Sequence, residues 1–159
     1  MQQHSSTEPP FVPKPGQKDF TNARVAPVLN CIVWYRDRIL MVKRSATMRF
    51  YPNYWNGISG FLDDDLPVKE KAQVELTEEL GLKAADILSL EEGKPFTQEE
   101  PDYQKKWIVH PVLAKVSTDR ITLNWEAQEY QWVSPDEALV LKLLPGFEKV
   151  LGTFFKTGS

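Results

Sequence analysis

Hydrophobic and polar positions in the first part of the chain predict two strands, a loop and a third, shorter strand. Apolar and β-branched residues dominate residues 24–35, and a second such run, residues 38–43, follows the dipeptide Arg36-Asp37. Two strand-like runs separated by two residues are typical of a β-hairpin. We expect residues 44–53 to form a loop and residues 55–60 a short strand.

Between residues 67 and 80 the apolar positions change to a helical period. Pro67 suits the first turn of a helix, and Gly81 suits the position just after its last turn. Apolar residues that recur every four positions predict one face of this helix that packs on the core. These residues are Val68, Ala72, Leu76 and Leu80.

The second half of the chain predicts three more strands followed by two helices. The strands are expected at residues 85–91, 106–116 and 129–133. Ser134 suits the N-cap of a helix, and a final helix is expected at residues 146–155. Strands with one inserted helix and further helices after them predict an α/β fold in which a mixed β-sheet lies between helices.

Residues 1–22 predict a flexible, proline-rich tail in front of a single domain over residues 23–156. Prolines and a glycine between positions 9 and 16 interrupt any periodicity, and no basic segment precedes an apolar one as in a signal peptide. The tail could instead pair with a second subunit as an exchanged arm, which would make a homodimer.

Composition agrees with one domain that binds a small molecule. The 159 residues are 42% hydrophobic, and no apolar stretch approaches the length of a membrane helix, so no membrane partner is expected. The net charge of −3 argues against stable nucleic-acid binding. The sole cysteine, Cys31, can form no intrachain disulfide, which predicts a reducing, cytoplasmic location.

Three glutamates crowd one side of the predicted helix. At about 100° per residue, Glu75, Glu78 and Glu79 fall within an arc of roughly 100°. Like charges three and four residues apart repel each other by a few tenths of a kcal/mol per pair, so the cluster needs a functional reason or a counter-ion. Carboxylate oxygens suit a hard cation such as Mg2+ or Mn2+, which in turn suits phosphate chemistry.

The same segment resembles the Nudix hydrolases, whose sequence box reads G-x5-E-x7-R-E-U-x-E-E-x-G-U, where U is a bulky aliphatic residue. Leu66 and Val74 stand where the box has its first glutamate and its arginine, so the box is degenerate. An ungapped alignment matches the other seven fixed positions. They are Gly60, Glu75, Leu76, Glu78, Glu79, Gly81 and Leu82.

The two departures from the box are physically linked. In the family, the arginine and the first glutamate make a charged contact that orients the helix, and loss of only one would leave a partly buried charge unpaired. Leu66 and Val74 together form an apolar pair that could keep the helix in place. The preceding Asp63, Asp64 and Asp65 offer substitute carboxylates.

The resemblance implies an αβα sandwich over about residues 23–156 and a metal-dependent hydrolysis. The substrate would be a diphosphate linked to another group, most simply a nucleoside diphosphate derivative. Mg2+ or Mn2+ would be held by the carbonyl group of Gly60 and by Glu75, Glu78 and Glu79. Water would attack phosphorus in line, without a covalent intermediate.

A further glutamate outside the box is expected to act as the general base. Glu126 lies six residues before Trp132, a spacing found for a loop glutamate at the metal site of similar proteins. Glu129 is its rival in the same segment. Glu75 is the second candidate for the base itself.

Substrate contacts are expected from the loop before the box. Arg44 and Arg49 are candidate partners for phosphate groups. Among several aromatic residues, Trp55 is the candidate for stacking on a nucleobase, because planar rings provide a large contact area at small entropic cost.

Two alternatives to hydrolysis stay open. In the first, the loss of the box arginine and glutamate marks a catalytically impaired Nudix-fold domain that binds nucleotides or regulates. The second is isopentenyl-diphosphate isomerase chemistry on a related fold. It ranks last, because Cys31 lies in an early strand and not near the candidate site.

Overall fold

The structure is a computed structural model that describes residue 20 and residues 22–157. Most of the predicted tail therefore lies outside the described residues, and both the tail and the domain boundary stay predictions. Phe20 is described, and its ring stacks on that of Phe61 with centroids 6.0 Å apart.

The described residues form eight strands, three α-helices and two short 3₁₀ helices. The strands are β1 (Val25–Tyr35), β2 (Arg38–Arg44), β3 (Trp55–Asn56), β4 (Ile58–Phe61), β5 (Ile87–Glu92), β6 (Phe96–Glu100), β7 (Lys105–Val116) and β8 (Ala127–Val133). The α-helices are α1 (Val68–Leu80), α2 (Pro135–Ala138) and α3 (Phe147–Phe154). The 3₁₀ helices are Ala84–Asp86 and Pro101–Tyr103.

The strands form one mixed sheet, as the sequence predicted. Its central path runs β3-β2-β1-β7-β5, with β4 paired to β1, β6 to β7 and β8 to β2. The long central strands β1 and β7 are parallel, and the other pairs are antiparallel. Strand β1 pairs with three strands and lies in the middle of the sheet, and most of its residues are buried because both faces of the sheet are covered.

Helices cover both faces, which confirms the αβα sandwich. Alternate side chains of β1 enter separate cores because the side-chain period of a strand is two residues. Leu29, Cys31 and Val33 join the core under α1. Ile32 joins the opposite core, which also contains residues of α3 such as Phe147. Cys31 is fully buried.

The predicted hairpin between β1 and β2 is present. Arg36 and Asp37 have φ values of 47° and 65°, in the left-handed region that two-residue turns with the right twist require. Trp34 pairs with Ile39 beyond this turn.

The single strand predicted at residues 55–60 is two strands, because the chain changes its pairing partner at Gly57. Asn56 pairs with Val42 of β2, whereas Ile58 pairs with Cys31 of β1. A Cβ atom on Gly57 would lie 2.6 Å from the carbonyl oxygen of Cys31. This crossing leaves room only for glycine.

Helix α1 ends where predicted and begins one residue later than predicted. Pro67 occupies the position just before its first turn, without a capping hydrogen bond, and Gly81 ends the helix with a φ of 71° and an N–H group that donates to the carbonyls of Leu76 and Thr77. Three of the four predicted core positions are fully buried and the fourth, Val68, is partly buried against the same core.

The predicted Ser134 cap is also confirmed. Its hydroxyl group accepts a hydrogen bond from the backbone N–H of Glu137, at the start of α2. Among the described residues, no helix combines the length and the apolar character needed to cross a membrane.

Other strands also differ from the sequence prediction, and β8 begins two residues earlier than expected. The strand expected at residues 85–91 begins two residues later, because the 3₁₀ helix Ala84–Asp86 precedes it. Strand β6 was not predicted, since its polar sequence lacks the apolar alternation of a half-buried strand. It forms by pairing with β7, where Phe96 lies opposite Val109.

Candidate active site

A cavity of about 620 Å³ lies on the α3 side of the sheet and extends to the edge of α1. Asn30 of β1, Phe61 of β4 and Trp107 of β7 line it from the sheet. Residues 144–146 and Val150 line it from the side of α3. The loop before β3 and the carboxylate face of α1 complete the lining.

Glu75 enters this cavity from α1 and lies directly against Gly60. Both residues line the cavity. A Cβ atom on Gly60 would lie 2.8 Å from both Cδ and Oε1 of Glu75. Gly60 also pairs with Leu29 in the sheet, so its position is fixed by β1. The glycine therefore provides the space that the glutamate carboxylate occupies.

Glu79 and Glu126 extend the carboxylate cluster beyond Glu75. The carboxyl group of Glu79 is within hydrogen-bonding reach of those of Glu75 and Glu126. Its Oε2 atom is buried, and no described residue is its hydrogen-bond partner. The three glutamates thus share a site in which carboxyl groups are the neighbours of carboxyl groups.

Burial and mutual repulsion shift the protonation of this cluster. Burial is the main cause that raises the pKa of Glu75 to about 7. The hydrogen bond with Glu79 and the charge of Lys71 oppose this rise, whereas the charges of Glu126 and Glu78 contribute to it. Burial is also the main cause that raises the pKa of Glu79 well above its usual value, followed by the charges of Glu126 and Glu75. Such a cluster favours either a bound proton or a bound cation.

The described residues contain no group of three His, Cys, Asp or Glu side chains already arranged as ligands of one metal ion. The chemistry of the cluster nonetheless fits a hard divalent cation, since its donors are carboxylate oxygens. The buried Oε2 atom of Glu79, which has no hydrogen-bond partner among the described residues, supports the same fit. Glu75, Glu78 and Glu79 are the side chains that would hold such an ion, and Glu126 lies beside Glu79.

The loop that carries Glu126 is pinned at both sides. The backbone N–H of Glu126 donates to the side chain of Asn124, whose amide group donates to the carbonyl of Glu78. The carbonyl of Glu126 accepts from the N–H of Ser45. Its rival Glu129 is exposed on β8 opposite Lys43 and does not line the cavity.

The remaining predicted site residues lie in different places. Glu78 and Arg49 are both exposed, and both line the cavity. Arg44 also lines it, but its Nε atom donates to the carbonyl of Phe50 at 3.0 Å, so it supports the loop. Trp55 is buried in the core and is absent from the cavity lining.

The aromatic wall of the cavity comes from Phe50 and Trp107. Their rings meet edge to face at 5.5 Å. The indole N–H of Trp107 donates to the hydroxyl group of Tyr51 at 2.8 Å, and the Tyr51 N–H donates to the hydroxyl group of Tyr103 at 2.9 Å. Tyr51 has a φ of 53°, which turns the loop back over the sheet. Sequence periodicity does not reveal a wall assembled from a loop and a distant strand.

An ion pair network beside Glu75 was also missed. Lys71 of α1 is 5% exposed, and its Nζ atom lies 2.9 Å from Asp63 and 3.0 Å from Asp64. Asp63 and Asp64 are candidate substitute carboxylates in the sequence, but their pairing with Lys71 is not evident there. Their spacing of seven and eight residues from Lys71, across the helix start, is the signal that the sequence offers.

The two box departures, Leu66 and Val74, both line the cavity. Leu66 is 40% exposed and Val74 is partly buried. The wall of the cavity next to the carboxylates is therefore apolar where the box would place a charged pair.

Solved structures with this fold come from several organisms. The Ap4A hydrolase of C. elegans, solved as a binary complex, is 18% identical, with a TM-score of 0.65, and the match covers 81% of this chain and 94% of that one. The NUDIX domain of Shewanella oneidensis NrtR, complexed with ADP ribose, is 14% identical, with a TM-score of 0.66 and coverage of 80% and 84%. The E. coli ORF135 protein is 23% identical, with a TM-score of 0.63 and coverage of 82% and 89%. At these identities the likeness shows the fold.

A search of curated proteins finds no match to the chain. The family model for the NUDIX domain matches residues 25–154, which contain the whole sheet, the glutamates of α1 and the loop of Glu126. On the strength of this match over most of its length, the chain belongs to the NUDIX family.

Proposed function

We propose that this protein hydrolyses a diphosphate linked to another group, with a divalent metal ion as cofactor. The observation that carries the proposal is the contact of the partly buried Glu79 with Glu75 and Glu126, which both line the cavity. Uncompensated burial of neighbouring carboxylates is unfavourable, so retention of all three favours a function in binding a cation. Family membership and the cavity support the same reaction class.

Each residue has a distinct role in the proposed site. Glu75, Glu79 and the exposed Glu78 would hold Mg2+ or Mn2+, with the Gly60 carbonyl as a further candidate ligand. When bound, the metal would neutralise charge on the diphosphate and lower the pKa of a water molecule. Glu126 is our first candidate for the base that accepts the proton of the attacking water, and Glu75 is the second.

The cavity supports a nucleotide-derived substrate. Its volume of about 620 Å³ is within the range of small-molecule sites. Phe50 and Trp107 offer aromatic surface on one side, and Arg49 offers positive charge within the same lining. One structure of similar fold is named an Ap4A hydrolase and another is complexed with ADP ribose, and both are consistent with this class.

A screen of phosphate release tests the proposal. Nucleoside diphosphate derivatives are incubated with the protein and with Mg2+ or Mn2+, and products are resolved by chromatography. We expect at least one compound to be cleaved at its diphosphate by the wild type and not by Glu79→Gln. Equal product formation by both proteins would contradict the assigned site.

The degenerate box favours a second candidate function, a NUDIX domain that binds a nucleotide without turnover. Leu66 and Val74 replace both charged residues of the box. Calorimetric titration with the same compounds separates the two functions. Binding in the presence of Mg2+, together with no hydrolysis of any compound, would establish the binding function and exclude the enzyme.

A further inference from the structure

Lys71 is a buried cation in the first half of α1. Its side chain is 7% exposed and lies between Asp63, which is 9% exposed, and Asp64, which is 26% exposed. Both aspartates belong to the segment between β4 and α1. The two short contacts, 2.9 Å and 3.0 Å, therefore tie the start of the helix to the end of the strand that carries Gly60.

The same ammonium group reaches the metal-site candidate. Glu75 lies one helical turn after Lys71, and its Oε1 atom is 4.0 Å from Nζ of Lys71. On its other side Glu75 meets Gly60. The carboxylate is thus confined between a fixed backbone and a charge that is itself fixed by two aspartates.

Packing alone does not account for a lysine at this position. The core contact of the helix is made by Ala72, Leu76 and Leu80, whereas Lys71 lines the cavity. Burial of its ammonium group there carries a desolvation penalty that an apolar residue would not have. A buried ion pair is weak support for stability, but it specifies geometry well. Leu66 and Val74 provide no charge for that purpose.

We propose that Lys71, held by Asp63 and Asp64, is a positioning residue that fixes the carboxylate of Glu75 in the orientation required to bind a metal ion. This inference rests on the proposed function. Residues that orient a metal ligand typically contribute about 10-fold to 100-fold to metal affinity or activity. In this role Lys71 acts through Glu75 and not on the reacting atoms.

The affinity for Mn2+ tests the proposal, because a positioning role and a purely electrostatic role of Lys71 predict opposite changes in this affinity. Removal of a cation beside three carboxylates should, by Coulomb attraction alone, strengthen Mn2+ binding. Loss of a positioning residue should instead weaken it. Electron paramagnetic resonance of free Mn2+ measures the Kd of the full chain, without any dependence on turnover.

Four proteins are compared: the wild type, Lys71→Met, Lys71→Arg and Lys69→Met. Lys69 is exposed on the same helix, so its substitution is a matched loss of one positive charge. We expect Lys71→Met to raise the Kd for Mn2+ by about 10-fold to 100-fold. Lys71→Arg should stay within about threefold of the wild type because arginine can bind both aspartates. Lys69→Met should leave the Kd unchanged.

A Kd for Lys71→Met that equals or falls below that of Lys69→Met would overturn the inference. If Lys71→Met does not fold, the Kd for Mn2+ is measured on Asp64→Asn, which changes a partly exposed partner of Lys71. An unchanged Kd in Asp64→Asn would also overturn the inference. Wild-type affinity for Mn2+ without hydrolysis would overturn only the proposed reaction. Absence of Mn2+ binding by the wild type would overturn both.

Discussion

The Cα atom of Gly60 faces the carboxylate of Glu75 so closely that a methyl group on the glycine would lie 2.8 Å from Cδ of the glutamate. Gly60 is held in β4 by its pairing with Leu29, whereas Glu75 meets it with the end of a long side chain, so an atom added to the glycine would displace the carboxylate. The space beside the glycine therefore determines where the carboxylate lies. This relationship links the first and the fourth fixed position of the sequence box.

Gly60→Ala should displace Glu75 and weaken metal binding while the fold is retained. We expect the Kd for Mn2+ to rise by about 10-fold or more, as for other losses of ligand orientation. Gly152→Ala is the control, because a Cβ atom there meets nothing within 4 Å and the residue lies in α3. If both variants bind Mn2+ as the wild type does, Gly60 does not control the position of Glu75.

The metal-free protein should lose stability as the pH rises from about 5 to about 8. Burial raises the pKa of Glu75 from 4.5 to about 7, so the native state retains a proton that the unfolded state releases. The stabilisation is fully present below the pKa that Glu75 has in the unfolded state. It is lost as the pH rises through the higher pKa that Glu75 has in the folded state. At 1.36 kcal/mol per pKa unit, Glu75 accounts for roughly 3 kcal/mol, and the raised pKa of Glu79 acts in the same direction.

Urea unfolding in EDTA at both pH values measures this loss. Glu75→Gln cannot titrate, so its free energy of unfolding should depend less on pH than that of the wild type. A wild-type protein that is equally stable or more stable at the higher pH would show that the carboxyl groups of the cluster are not held close together.

Divalent metal should raise the melting temperature of the wild type and not that of Glu79→Gln. Binding to the native state alone adds RT ln(1 + [L]/Kd), about 2.7 kcal/mol at 100 times the Kd. In EDTA, Glu79→Gln should be more stable than the wild type near neutral pH, by about 1–3 kcal/mol, because an amide relieves repulsion and satisfies buried polar atoms. Melting curves of the wild type and of Glu79→Gln in Mg2+, in Mn2+ and in EDTA measure both differences. An equal metal shift in both proteins would exclude Glu79 as a ligand.

Glu126→Gln should abolish most hydrolysis but leave metal-dependent melting largely intact. Loss of a positioned general base typically lowers the rate by about 10²-fold to 10⁴-fold. Glu129→Gln is the control, because this neighbouring glutamate is exposed on β8 and outside the cavity lining. Steady-state kcat values on the cleaved substrate decide between them. A larger loss in Glu129→Gln would transfer the role of base to that residue.

The sequence by itself determined the parts of the fold that depend on neighbouring residues. The ends of α1 followed from Pro67 and Gly81, and the α2 cap followed from Ser134. The hairpin followed from two strand-like runs around Arg36-Asp37. Caps, turns and periodicities are local interactions, so they can be recognised in the order of the residues alone. The spacing of the glutamates on α1 is local in the same sense.

Only the tertiary structure decided which distant residues meet. Strand β6 exists because β7 pairs with it, and its polar sequence gave no sign of that. The burial of Trp55, the contact of Glu79 with Glu126 and the ion pairs of Lys71 likewise depend on how the sheet and α1 pack. A local pattern specifies which face of an element is polar. Long-range packing decides which polar groups that face meets and how far they are removed from water.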